Sequence, residues 1–254
     1  MTDPRDDSPA PAASAGAAPR LRFFRQLDAA GPWLGSRSSL RPRDAEHFPG
    51  DTLQDKFARA LCERSALPAK ELFEATETFE LVRKRVRRSV VADLCAGHGL
   101  AGLLFAIFER RVDTVLLIDR ERPASADVLL DAAAEVAPWA PGKIEWRVES
   151  LKRVSLPEDT GVIAIHACGL RTDASMELAL KAQGPFAALP CCRPHRLHPA
   201  PTSLKNALGA DVAIDVHRTY TLENAGYRVR WQQISEAITP MNRVLSAAPA
   251  ASTA

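Results

Sequence analysis

A chain of 254 residues, 46% hydrophobic and 25% charged, is long enough for one well-buried domain plus an extension and has an ordinary globular composition. Its formal net charge of +2 excludes a polycation acting through its whole surface, so a nucleic-acid role needs a local basic patch, and no motif signals DNA. The five cysteines at 62, 95, 168, 191 and 192 lack secreted-disulfide spacing, no apolar signal core follows Met1, and no run reaches the roughly 18–20 apolar residues of a membrane span, so a soluble protein of the reducing cytoplasm is expected.

Residues 1–19 are Pro, Ala and Ser with almost no large apolar side chain; they cannot offset the entropy of ordering and are expected to be a disordered tail. Residues 248–254 repeat that composition. Between the tails, residues 20–88 predict a helical extension and residues 89–247 a single α/β domain. Leu53, Phe57, Ala60 and Leu61 recur at helical intervals, as do Leu72, Phe73, Phe79 and Val82 further on, so two helices precede residue 89. The second ends in Arg83, Lys84, Arg85, Arg87 and Arg88, cations placed where the negative end of a helix dipole favours them. This basic run, with the Arg20–Arg25 segment and its two phenylalanines, has the composition of an RNA-contacting surface.

From Ser89 apolar strands alternate with helices, which predicts βαβ units and a parallel sheet. The strands are Val90–Leu94, Val115–Asp119, Ile144–Val148, Val162–His166 and Phe186–Leu189. Four are continuous apolar runs suited to burial on both faces, whereas Ile144, Trp146 and Val148 alternate with Glu145 and Arg147 and mark a sheet edge. Helices fit at Ala101–Arg111, Ser125–Val136 and Ala174–Gln183. Two final strands, Tyr227–Ile234 and Asn242–Ala247, are joined by a turn at Thr239-Pro240 too short for a crossover helix, so they are antiparallel.

The first strand runs into Asp93-Leu94-Cys95-Ala96-Gly97-His98-Gly99 and then a helix. Such a turn lets the backbone approach a ligand, with free helix N–H groups behind it. Asp119, ending the second strand, can accept hydrogen bonds from ribose hydroxyls. The same letters spell Gly97-x-Gly99-x-x-Gly102, the dinucleotide fingerprint, which keeps an NAD enzyme among the alternatives. Against it stand the acid at Asp93, before the glycines, and the lack of a second mononucleotide-binding half.

Strand four ends in His166-Ala167-Cys168-Gly169-Leu170-Arg171-Thr172-Asp173, and strand five in Leu189-Pro190-Cys191-Cys192-Arg193. With the Asp93–Gly99 loop and Ile118-Asp119-Arg120, these elements resemble class I S-adenosylmethionine-dependent methyltransferases, in the group that includes the eukaryotic tRNA acceptor-stem 2'-O-methyltransferases. The resemblance covers roughly residues 89–247. It implies a Rossmann-like sheet in the order 3-2-1-4-5-7-6 with strand 7 antiparallel, and S-adenosylmethionine as cofactor. The chain has Ile165 where the tRNA enzymes usually carry Lys and Arg193 where they carry His, and only Cys62 where they add zinc-binding modules.

On this resemblance the cofactor site comprises Asp93, Cys95, Ala96, Gly97, Gly99, Asp119, Arg120, Glu149 and Ser150, and the acceptor pocket Pro190, Cys191, Cys192 and Arg193. His166, Cys168 and Asp173 are the catalytic candidates, His166 as a general base for a hydroxyl acceptor. Asp173 directly precedes a predicted helix, which also suits it, like Thr172, to N-capping. Cys95, Cys168, Cys191 and Cys192 fall at carboxyl ends of adjacent strands and should lie close together, where with His166 and His195 a thiolate–imidazole site is conceivable. No C-x-x-C spacing is present, however, and the expectation is small polarizable pocket packing without a metal. Pro190-Cys191 matches the dipeptide of RNA cytosine-5 methyltransferases, although those enzymes place it after strand four. RNA is the favoured acceptor, with protein, a small molecule, or non-catalytic cofactor and RNA binding as alternatives.

Overall fold

The computed structural model describes residues 19–250. Behind two 3-10 turns, Pro32–Gly35 and Pro42–His47, lie helices α1 (Leu53–Glu63) and α2 (Ala69–Val86). Strand and helix then alternate through β1 (Val90–Leu94), α3 (Leu100–Phe108), β2 (Thr114–Asp119), α4 (Ala124–Val136), β3 (Ile144–Val148) and β4 (Gly161–Ile165). The chain continues through α5 (Arg171–Lys181), β5 (Phe186–Leu189), α6 (Thr202–Leu208), α7 (Ala210–Asn224), β6 (Tyr227–Gln233) and β7 (Arg243–Pro249).

The seven strands form one sheet in the order β3-β2-β1-β4-β5-β7-β6. Strands β1 to β5 pair in parallel, while β7 runs antiparallel to both β5 and β6. This is the expected Rossmann-like order, and β3, the strand with the alternating pattern, is indeed an edge. β7 continues to Pro249, paired with Tyr227, so residues 248 and 249 belong to the sheet and not to the expected tail. Residues 1–18 and 251–254 lie outside the described residues.

Each face of the sheet is covered. On one, Val91, Val115, Leu117 and Ile163 share a core with α1 to α4, and Leu21, Phe23 and Phe24 belong to the same cluster. The other is covered by Met176, Leu178 and Ala179 of α5 and Leu222 of α7, packed on Ala92, Leu116, Val162 and Phe186. The helical extension therefore shares the sheet's core. Phe23 and Phe24 are buried in edge-on stacks with Phe79, Phe108 and Phe73, which corrects the expectation that they are free to stack on bases.

The basic run at the end of α2 is also largely engaged. Arg83 and Arg87 pair with the buried Glu109, at 2.9 and 3.1 Å, Arg88 pairs with Asp159 at 2.7 Å, and Arg85 donates to the Arg228 carbonyl. These cations lie where the chain enters β1, at the opposite end from the glycine turn.

Candidate active site

At the carboxyl ends of the parallel strands lies a cavity of about 590 Å³ lined by Cys95, Gly97, Asp119, Arg120, Glu149, Ser150, His166 and Cys168. An adjoining space of about 210 Å³ is bordered by Asp93, Ala96, His98 and again Cys95, Gly97 and His166. Eight of the nine expected cofactor residues thus border one of the two spaces; Gly99 is the exception.

The glycine turn explains that exception. Gly97 has φ +56°, and a Cβ there would meet nothing within 4 Å, so it is the position that leaves room for a ligand. Gly99, at φ +81°, turns instead toward the sheet, where a Cβ would lie 2.7 Å from Leu117 and 3.2 Å from Trp146. Its side of the turn is closed by tight packing under the loop. The Gly97 N–H donates to Asp119 Oδ2 at 2.8 Å, and the Arg120 N–H to Oδ1 at 2.6 Å. The Glu149 N–H donates to the Asp119 carbonyl at 2.8 Å, so the ends of β1, β2 and β3 are tied together.

Asp93 is 1% exposed and accepts from the Gly102 N–H at 2.8 Å. Burial pushes its carboxyl up to about 7, against the pull of that hydrogen bond and with a further push from Asp119. It is a carboxyl held under the loop with no cation in contact among the described residues.

Cys95 and His166, the residues that leave β1 and β4, both have left-handed backbones, at φ 61° and 62°. This costs non-glycine residues roughly 1–2 kcal/mol each. Such strain gathers where side chains must point at a ligand, and both line the cavity.

Helix α2 supplies what the domain sequence alone did not reveal. Glu74, 1% exposed, places Oε2 3.0 Å from His166 Nε2, while Lys70 takes Oε1. One turn earlier, Glu71 Oε2 lies 2.7 Å from His98 Nε2 in the glycine turn. Burial alone would raise the Glu74 carboxyl, but His166 and Lys70 hold it below its ordinary value. Glu71 is lowered chiefly by its hydrogen bond with His98. The sequence signal was present as Glu71-x-x-Glu74-x-x-Glu77, acids on the stripe that also carries buried Phe73 and Thr78.

Two expected site residues are engaged elsewhere. α5 begins at Arg171, so Asp173 lies in its first turn and caps nothing with its side chain. Instead its carboxylate accepts from Arg218 Nε and Nη2 at 2.8 and 2.9 Å and lies 3.3 Å from His198 Nε2. Burial raises the Asp173 carboxyl, yet Arg218 and His198 hold it below its ordinary value. Thr172 donates to the Ala167 carbonyl at 2.6 Å. Arg193 is likewise buried, paired with Asp215 at 2.6 and 3.0 Å, and Asp215 also takes Arg243 at 2.9 Å. Asp173 and Arg193 therefore dock α5, the β5 loop, α7 and β7 together instead of reaching an acceptor. Pro190 borders a separate small crevice with Trp231 and Asp215.

The thiols come together in part. The Cys168, Cys191 and Cys192 sulfurs lie within 4.8 Å of one another, with Cys168 Sγ 2.9 Å from Cys191 Sγ. Burial, then the neighbouring Cys168, pushes the Cys191 thiol well above its ordinary value. Neither histidine joins them: His166 faces Glu74, and His195 Nε2 lies 2.6 Å from Asp211.

No family model matches the chain, and no curated protein matches it. Among solved structures it is similar to a SAM-dependent methyltransferase from Aquifex aeolicus, at 14% identity and a TM-score of 0.41, over 68% of this chain and 90% of that one. It is similar to the Pyrococcus abyssi tRNA (uracil-54, C5)-methyltransferase in complex with S-adenosyl-L-homocysteine, at 15% identity and a TM-score of 0.40, over 69% of this chain and 38% of that one. A precorrin-6y C5,15-methyltransferase from Geobacter metallireducens is similar at 12% identity and a TM-score of 0.43, over 69% and 88%. At such identities and scores none of them assigns a reaction to this chain.

Proposed function

We propose that the chain binds S-adenosylmethionine in the cavity at the carboxyl ends of β1, β2 and β3 and methylates a hydroxyl of an RNA acceptor. The observation that carries this reading is the Glu74–His166 pair. A buried carboxylate on α2 stands behind an imidazole that borders both the glycine-turn space and the larger cavity.

The residues fit the cofactor. Open space over Gly97 admits its backbone-hugging part, Asp119 offers carboxylate oxygens to ribose hydroxyls, Glu149 and Ser150 border the adenine side, and Asp93 lies where an ammonium would match it. When bound, the cofactor supplies an electrophilic sulfonium methyl group. The protein's part is to hold acceptor and methyl on one axis at roughly 3–3.5 Å. His166 takes the hydroxyl proton as the new bond forms, and Glu74 orients the ring and balances the imidazolium charge.

The acceptor assignment rests on the motif resemblance and on charge. Arg120, Lys152 and Arg171 line the cavity, are exposed, and have no carboxylate partner within ion-pair distance among the described residues. Cations so placed suit the phosphates flanking a target hydroxyl.

Calorimetry with S-adenosylmethionine, S-adenosylhomocysteine and NAD, followed by tritium transfer to RNA, protein and metabolite fractions, tests the proposal. Micromolar binding, roughly −8 kcal/mol, with label in RNA is expected. Tight NAD binding alone would remove the methyltransferase reading; label in protein or metabolites would replace the acceptor; binding without transfer would leave a cofactor-binding subunit.

A further inference from the structure

The three-thiol cluster has no part in that mechanism, and its geometry is that of a ligand set. Cys168 sits on the turn that leaves β4, and the adjacent pair Cys191-Cys192 sits where β5 ends. Because β4 and β5 pair in parallel with Ile165 opposite Leu189, the register itself brings the two turns side by side. Three sulfurs within 4.8 Å of one another can surround a common centre.

We propose that Cys168, Cys191 and Cys192 form a binding site for a thiophilic divalent cation of the zinc class, with three thiolate ligands and a fourth position opening onto the cavity.

The distances support this. Tetrahedral zinc–thiolate bonds of about 2.3 Å separate sulfurs by ~3.8 Å. The Cys168–Cys191 pair, at 2.9 Å, is closer than that, and all three sulfurs lie within 4.8 Å of one another. Soft thiolates select zinc or copper(I) over magnesium or calcium. Sites with only three protein ligands leave the fourth position to water or substrate. Cys168 lines the cavity with Cys95 and His166, so that position belongs on the cavity side. The histidines do not complete the set, since His166 and His195 are held by Glu74 and Asp211. On binding, each thiol releases its proton to solvent and the cation balances the resulting thiolates.

The test uses the full-length protein, purified under reducing conditions without chelator. Cobalt(II) titration should saturate at one equivalent, show thiolate-to-cobalt charge-transfer absorption of a three-sulfur site, and be reversed by zinc(II). Cys168→Ser and Cys191→Ser should weaken cobalt binding by roughly 100-fold or more, beyond the 10–100-fold typical of lost outer-shell partners. Cys62→Ser and Cys95→Ser should leave it intact. Overturning results are no stoichiometric cobalt binding by the parental protein, binding that survives Cys191→Ser, or isolation of the metal-free protein with a Cys168–Cys191 disulfide. Since the readout is metal binding, it stands apart from methyl transfer; calorimetry with S-adenosylmethionine on the same samples reports that reading separately.

Discussion

A carboxyl sealed beneath a loop has to be neutral or matched by a cation, and Asp93 is buried with no cation partner among the described residues. Its carboxyl, raised to about 7 by burial, makes ionisation costly in the fold. Stability from this group is therefore greatest below the unfolded value near 4 and falls as pH rises toward 7. Ligand binding has the opposite slope: an ammonium placed beside Asp93 favours the carboxylate, so S-adenosylmethionine affinity should rise between pH 5.5 and 7.5. Asp93→Asn should flatten both slopes, by calorimetry for affinity and thermal melting for stability; an unchanged affinity slope would place the ammonium elsewhere. Glu74 makes a second residue-scale prediction. Glu74→Gln keeps the shape and removes the charge facing His166, so turnover should fall by about tenfold or more, short of the ~10²–10⁴ associated with a base itself. Cofactor affinity should stay within twofold of the parental protein; joint loss of both would mean that α2 has shifted.

Among the elements, the legible ones are those whose burial is purely apolar. β1, β2, β4 and β5 read as strands because covering by helices on both faces demands continuous Val, Ile, Leu and Ala, and β3 read as an edge because Glu145 and Arg147 interrupt its apolar residues, although Val148 is exposed as well as Glu145. The glycine turn, Asp119 and His166 were legible for a related reason: they stand at strand ends, where spacing alone locates them. α7 was not legible, since its inward stripe is interrupted by Asp215 and Arg218, 4% and 0% exposed, which read as a solvated face. The same disguise hid Glu74 on α2 and made Asp173 look like a cap. Arg218 holds Asp173 at 2.8 and 2.9 Å, so Arg218→Met should destabilise by about 3–5 kcal/mol, through the Asp173 carboxylate left without its arginine. Adding Asp173→Asn should restore part of that loss, whereas an additive double variant would show that packing, not charge, dominates. Denaturant midpoints at constant slope decide between them.

On the scale of the whole molecule, charge is distributed by use. The run at the end of α2 is paired with the buried Glu109 and the exposed Asp159, at the end of the sheet where β1 begins. Arg120, Lys152 and Arg171 instead stand exposed around the cavity at the opposite end. Two substitution sets separate these roles. Replacing Arg120, Lys152 and Arg171 with Gln removes up to three phosphate contacts, and the slope of log affinity against log salt for single-stranded RNA should fall by about 2, at roughly 0.7 per contact. Replacing Arg83, Arg87 and Arg88 with Gln should lower the melting temperature, because Glu109 loses both cations while remaining buried. It should leave the salt slope of the folded protein unchanged. Fluorescence anisotropy across a salt series, with melting curves on the same samples, reads both effects. If the α2 set changes the slope and the cavity set does not, RNA enters from the far end of the sheet and the acceptor route through the cavity fails. If neither set changes it and the parental affinity is weak, the acceptor is a protein or a small molecule, and the cations around the cavity serve another anion.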